Sequence, residues 1–159
     1  MAKRVVFWHI TAAIIAAVML FPFALAKAKE PPMRDEELLA RIVYLEARGE
    51  PDEGQQAVVQ VILNRLDNGY WGDSFSEVIY APGQFNPARS IKSTKPTPKE
   101  YRNVQAVLQA EEPILPPWVM YFQARRHRES KTYLPYAIIG AHYFGGFRKD
   151  KIAMDEKAD

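Results

Sequence analysis

Apolar residues recur at helical spacing in two stretches separated by a sharp corner. In the first, from Asp35 to Ala47 or Arg48, Leu39, Ile42 and Val43 line one face. This spacing predicts an amphipathic helix opened by Asp35 and stopped by Gly49 and Pro51. In the second, from about Asp52 to Leu66, Val58, Val61, Ile62 and Leu66 share a face, with Ala57 and Asn64 at its margin. The two helices form a hairpin. The next position of the first stripe, seven residues past Leu39, is Glu46. A carboxylate therefore stands where the pattern calls for a hydrophobe, one turn before a Gly-Pro corner. Burial disfavours the charged form of such a group and raises its pKa, so it can hold a proton near neutral pH as a general acid must. The alternative is a partly buried acid paired with Arg48 or Arg65 for structural reasons.

Further along, Ser74 with Glu77 predicts a capped short helix through Tyr80, and residues 81–87 read as an ordered loop. Ala88 to Pro96 is polar and reads as flexible. Thr97-Pro98-Lys99-Glu100 starts a helix expected to run to about Glu111. Trp118 to Phe122 and Ala137 to Phe144 are apolar runs of strand type, the second ending at Gly145-Gly146. From Arg148 the chain is charged and reads as a loose tail.

The first segment changes the picture. Lys3 and Arg4 precede an apolar run from Val5 to Phe23 and the small-residue exit Ala24-Leu25-Ala26, the pattern of a secretory signal peptide. The same run is long enough to remain as a membrane anchor if it is not cut. Either outcome places the remainder outside the cytoplasm. The expected organisation is a leader over 1–26, a spacer over 27–34, one domain over 35–147 and the charged tail over 148–159.

The leader holds two of the 21 basic residues and none of the 19 acidic ones, so the mature chain is formally neutral. A neutral domain has no global field for a polyanion, and the one basic run, Arg125-Arg126-His127-Arg128, has Glu129 beside it and no interleaved aromatic residues. Nucleic acid is not an expected partner. There is no cysteine, which removes disulfides, thiol catalysis and thiolate metal sites. With His127 and His142 as the remaining histidines, and no ligand-type spacing, neither a metal nor another cofactor is expected.

Glu46-Ala47-Arg48-Gly49-Glu50-Pro51, Gly54-Gln55, Val61-Ile62-Leu63-Asn64-Arg65 and Pro82-Gly83-Gln84-Phe85 together resemble the SleB-type cell wall hydrolases, which include the spore cortex-lytic enzymes. The likeness is close over Leu38 to Pro87 and looser at Tyr121-Phe122 and Ile139 to Phe144. It implies an α+β, mostly helical, lysozyme-like fold of the lytic transglycosylase type with a small antiparallel sheet. It also implies a glutamate, mapping onto Glu46, acting on the glycan strands of peptidoglycan. In a lytic transglycosylase the substrate's N-acetyl group assists, and the muramic acid 6-hydroxyl attacks once the glutamate, now a base, takes its proton. One essential acid then suffices, which fits a chain with one strong acid candidate better than a two-carboxylate scheme. Glu50 and Glu53 read as solvated or capping acids, and Asp73 is a possible second carboxylate that reads more readily as a loop or cap residue. Tyr70, Trp71, Phe85, Tyr121 and Phe122 are candidate platforms for sugar rings, and Asn64, Gln84 and Asn86 candidate partners for acetamido groups. Each has core or loop duty as its alternative, and His142 reads as a core histidine. The expected protein is a monomer. A muramidase or glucosaminidase using water, and a non-catalytic peptidoglycan-binding module, are the competing readings.

Overall fold

The structure is a computed structural model and describes residues 33–124 and 130–158. The leader of residues 1–26, most of the spacer and the basic run from Arg125 to Arg128 lie outside the described residues.

Helix α1 spans Asp35–Ala47 and buries Leu39, Ala40, Ile42 and Val43 completely. Asp35 lies inside the helix; Arg34 occupies the N-cap, and Asp35, Glu36 and Glu37 place negative charge on the first turn. Helix α2, Asp52–Asn68, runs a few residues beyond the expected end, because Gly69 at φ 75° closes it with N–H donation to the carbonyls of Arg65 and Leu66. Helix α3 is Phe75–Tyr80, with Ser74 Oγ accepting from the Glu77 N–H as the capping signal predicts. Helix α4, Pro98–Leu108, opens on a full capping box between Thr97 and Glu100 and ends earlier than expected.

Residues 88–93, expected to be flexible, instead belong to a 3-10 helix, Asn86–Ser93. The reason is a long-range grip. Arg41 pairs with Glu37 at 2.6 Å and donates to the carbonyls of Ile91 and Lys92 at 2.9 and 2.6 Å, while Ile91 is fully buried.

The antiparallel sheet has three strands in the order β1–β3–β2. Strand β1 is Tyr121–Gln123, β2 is Tyr133–Ile139 and β3 is His142–Phe147. The apolar run expected as one strand over Ala137 to Phe144 is thus a hairpin, folded at Gly140 where φ is +61°. Gly146 lies inside β3 rather than ending it, and a Cβ there would come within 1.9 Å of the Trp118 carbonyl oxygen. Glycine lets residues 118–120 lie directly on the sheet. The expected loose tail is helix α5, Arg148–Ala158, continuous with β3.

The core lies among α1, α2, α3, α4 and the inner face of the sheet, where Phe144 is fully buried. A polar network links α2 to α4: Gln55 donates to Glu100, and Asn103 donates to Gln55 and Asp52. Glu100 is 2% exposed. The architecture is the α+β, mostly helical, lysozyme-like arrangement expected.

Candidate active site

Glu46 is the next-to-last residue of α1 and is partly buried. Burial raises its pKa, and the nearby charge of Arg65 opposes that rise. The pattern on α1 therefore translated into the expected environment. Arg65 obeys the same logic on α2, where it falls seven residues past Val58 and four past Val61, on the apolar face.

Arg65 is 4% exposed. Its Nε donates to the Met120 carbonyl at 2.7 Å, and its guanidinium lies 5.1 Å from the Phe85 ring centre, 5.4 Å from Trp71 and 5.5 Å from Tyr121. Three rings thus supply negative π-faces to a cation taken out of water. Burial pulls its pKa down to about 10, with Tyr121 and Glu46 acting in the other direction, so the guanidinium is charged at neutral pH. Its Nη1 is buried without a hydrogen-bond partner. Arg48, the other basic candidate, is exposed and lies over Tyr44 at 5.7 Å.

The aromatic candidates divide by this geometry. Phe85 is 7% exposed and packs against Arg65 and Phe122, which makes it a wall of the site rather than an open platform. Tyr121, Tyr70 and Trp71 come together around a cavity of about 230 Å³. Trp71 meets Tyr70 and Tyr121 edge to face at 5.0 and 5.9 Å. Burial raises the pKa of Tyr121, with Asp150 and Tyr70 adding to the rise and Arg65 opposing it, so its phenol stays protonated and can donate.

Among the amides, Gln84 is half-buried beside Phe85, and its side chain is unused among the described residues. Asn64 differs from expectation. It is buried, its NH2 donates to the carbonyls of Pro116 and Val119, and its oxygen accepts from Gln60. Both of its donors are spent on holding residues 116–119 against α2, which leaves neither for a sugar.

Glu50 also differs, since it is largely enclosed rather than solvated. Its Oε2 accepts the Ala141 N–H at 2.7 Å, and its Oε1 lies 3.6 Å from Nδ1 of buried His142. Asp73 is exposed, with its N–H donating to Glu77.

A family profile described as Cell Wall Hydrolase matches residues 49–145. The chain belongs to the cell wall hydrolase family. A stretch of 51 residues is 55% identical to a spore cortex-lytic enzyme of Oceanobacillus iheyensis, covering 32% of this chain and 18% of that one. The same length is 53% identical to the spore cortex-lytic enzyme of Bacillus subtilis, covering 17% of it. The matched stretch thus spans less than a fifth of these relatives. Solved structures extend the likeness over the domain. The catalytic domain of the germination-specific lytic transglycosylase SleB from Bacillus anthracis superposes with a TM-score of 0.60 at 30% identity, over 74% of this chain and 98% of that one. The catalytic domain of Bacillus cereus SleB gives 0.59 at 31% identity, over 70% and 88%. The family profile begins three residues after Glu46, so the profile match does not include that residue.

Proposed function

We propose that this cell wall hydrolase cleaves the β-1,4 bond between N-acetylmuramic acid and N-acetylglucosamine in peptidoglycan as a lytic transglycosylase, leaving 1,6-anhydro-muramic ends. The observation that carries the reading is Glu46, a partly buried acid with a raised pKa at the end of a helix, beside a buried, aromatic-walled cation. Protonated Glu46 gives its proton to the glycosidic oxygen as the bond to the anomeric carbon breaks. The ionised carboxylate left behind is held by the Arg65 charge. It then takes the proton of the muramic 6-hydroxyl as that oxygen closes on the anomeric carbon, which restores the acid. No water enters the products.

The nearest other acid in sequence, Glu50, is committed to the hairpin tip, which supports a one-acid scheme. Tyr121, Tyr70 and Gln84 are the side chains available to sugar rings and acetamido groups. The enzyme acts as a monomer without a cofactor. Its substrate lies outside the cytoplasmic membrane, so the reading requires export by the segment ending at Ala26.

Mass spectrometry of the muropeptides released from purified sacculi tests this, with Glu46→Gln alongside. Anhydro-muramic ends that vanish in the variant are the expected result. Reducing ends would replace the scheme with water attack, and unchanged digestion by Glu46→Gln would remove Glu46 from the chemistry.

A further inference from the structure

The cavity of about 230 Å³ is walled by the rings of Tyr70, Trp71, Tyr121 and Phe147, and Asn68 and Asp150 bring an amide and a carboxylate to it. Exposed Lys149 stands at its rim. The wall is assembled from the end of α2 with the turn after it, from β1, and from the junction of β3 with α5. Phe147 and Asp150 fall after the residues that the family profile matches, so this side of the cavity is not part of that match. Glu46 is not among the lining residues. Arg65 relates the two places, because its guanidinium packs on Trp71 and Tyr121 and its charge acts on Glu46.

The lining restricts what the cavity can hold. Trp71 and Tyr121 already share the Arg65 guanidinium, so a second cation on these rings is repelled by the first. An anion drawn to Lys149 meets the carboxylate of Asp150, whose charge adds to the rise that burial causes in the Tyr121 pKa. A wholly apolar guest strips water from that carboxylate and returns no donor. Tyr121 and Asp150 are both partly buried, and among the described residues neither side chain makes a hydrogen bond. A neutral ligand with hydroxyls on its edge and C–H groups on its faces meets every group present, since the Tyr121 phenol donates, Asp150 accepts and the rings cover the apolar faces. Pockets for drug-sized molecules run to about 300–1,000 Å³, so this smaller one suits a single ring rather than a strand.

We propose that this cavity is a subsite for one N-acetylglucosamine ring of the glycan strand, set off from Glu46, with Asp150 accepting its hydroxyls and Tyr121 donating to it. This rests on the reading of the chain as acting on peptidoglycan strands. Of the two alternating sugars, N-acetylglucosamine is the one without a lactyl substituent, which on muramic acid brings either a carboxylate towards Asp150 or a peptide too large for the space. Its hold on a neighbouring ring adds affinity for the strand without touching the bond that is cleaved.

The test titrates the full chain carrying Glu46→Gln, which allows binding without turnover, with a peptide-free glycan hexamer, by calorimetry and by NMR of the Trp71 indole N–H. A saturable shift of that resonance is expected, and about ten-fold weaker binding when Asp150→Ala is added, because a hydroxyl loses a charged acceptor. Asp150→Glu recovers part of the affinity. Asp150 is also a first-turn acid of α5, so melting temperatures are compared, and Tyr70→Ala, at a ring 80% exposed, weakens binding several-fold without touching that helix. An unshifted Trp71 resonance on hexamer binding, or an affinity unchanged in both variants, overturns the subsite while leaving glycan cleavage standing. Binding at Trp71 that appears only with peptide-bearing strands puts the peptide in the cavity and overturns it as well. Absence of hexamer binding together with absence of muropeptide release by the unaltered enzyme overturns both readings. The expected shift and losses in a protein that releases no muropeptides support the sugar subsite and remove only the cleavage reading.

Discussion

Glu50 Oε2 accepts the Ala141 N–H at 2.7 Å, which ties the corner after α1 to the tip of the β2–β3 hairpin. The corner is also held from the other side, by Lys99 Nζ donating to the Glu50 carbonyl at 2.7 Å. The hairpin approaches so closely that a Cβ on Gly140 would come within 1.9 Å of Glu50 Oε2 and 2.8 Å of the Pro51 ring.

Gly140→Ala therefore destabilises the domain on two counts, a positive φ and a clash with an anchored carboxylate. A loss of about 1–3 kcal/mol in denaturant unfolding is expected. Gly49→Ala, where nothing lies within 4 Å of the added carbon, is the matched control and changes stability little.

The acid limb of the mechanism carries a signature in pH. In the proposed mechanism Glu46 must be protonated to act first, so kcat/KM is expected to decline on the alkaline side as it ionises, at a pH above the ordinary carboxylate range because burial raises its pKa. The Arg65 charge holds that pKa down, so Arg65→Gln moves the alkaline decline upward. A pH–rate profile that does not move would show that Arg65 exerts no charge effect on Glu46. Loss of the bond to the Met120 carbonyl also costs about 1–3 kcal/mol of stability.

Glu100 contributes acid sensitivity of a structural kind. Burial acts to raise its pKa, but hydrogen bonds from the Thr97 side chain and backbone and from Gln55 outweigh this and hold it below the usual value. A depressed folded-state pKa adds stability above the unfolded pKa that is lost as pH falls through the folded one. Glu100→Gln is thus expected to flatten the fall of melting temperature on the acid side of the ordinary glutamate pKa.

Asn64→Ala separates a structural amide from a sugar-binding one. With both donors and its oxygen used internally, its removal leaves two carbonyls short of a partner and lowers stability by about 1–3 kcal/mol. The affinity of the folded fraction for glycan oligomers is expected to change far less than on removal of the Tyr121 ring, as titration of both variants would show.

Much of this was legible in the chain because local rules and tertiary packing agreed. The stripe on α1 located Glu46, the Thr97 capping box located α4, and Gly49 with Pro51 located the corner. Arg65 carried the same mark as Glu46, a charge on an apolar face, but its ring enclosure joins residues from a turn, a loop and a strand that periodicity does not relate. The internal bonds of Asn64 and Glu50 were not legible for one reason: their partners lie more than 50 positions away at Pro116 and Val119, and 91 away at Ala141. Polar side chains read as surface groups until their distant acceptors or donors are known. The segment after Ala88 read as flexible because the Arg41 grip that orders it comes from α1.

Helix α2 carries Gln55 at one end, wired to α4, and Asn64 and Arg65 at the other, wired to the chain entering the sheet. Fraying of this helix would release the helical layer and the candidate active site at the same moment. Amide protons at the C-terminal half of α2 are therefore expected to exchange with solvent only through whole-domain opening, at rates that report global stability rather than local motion.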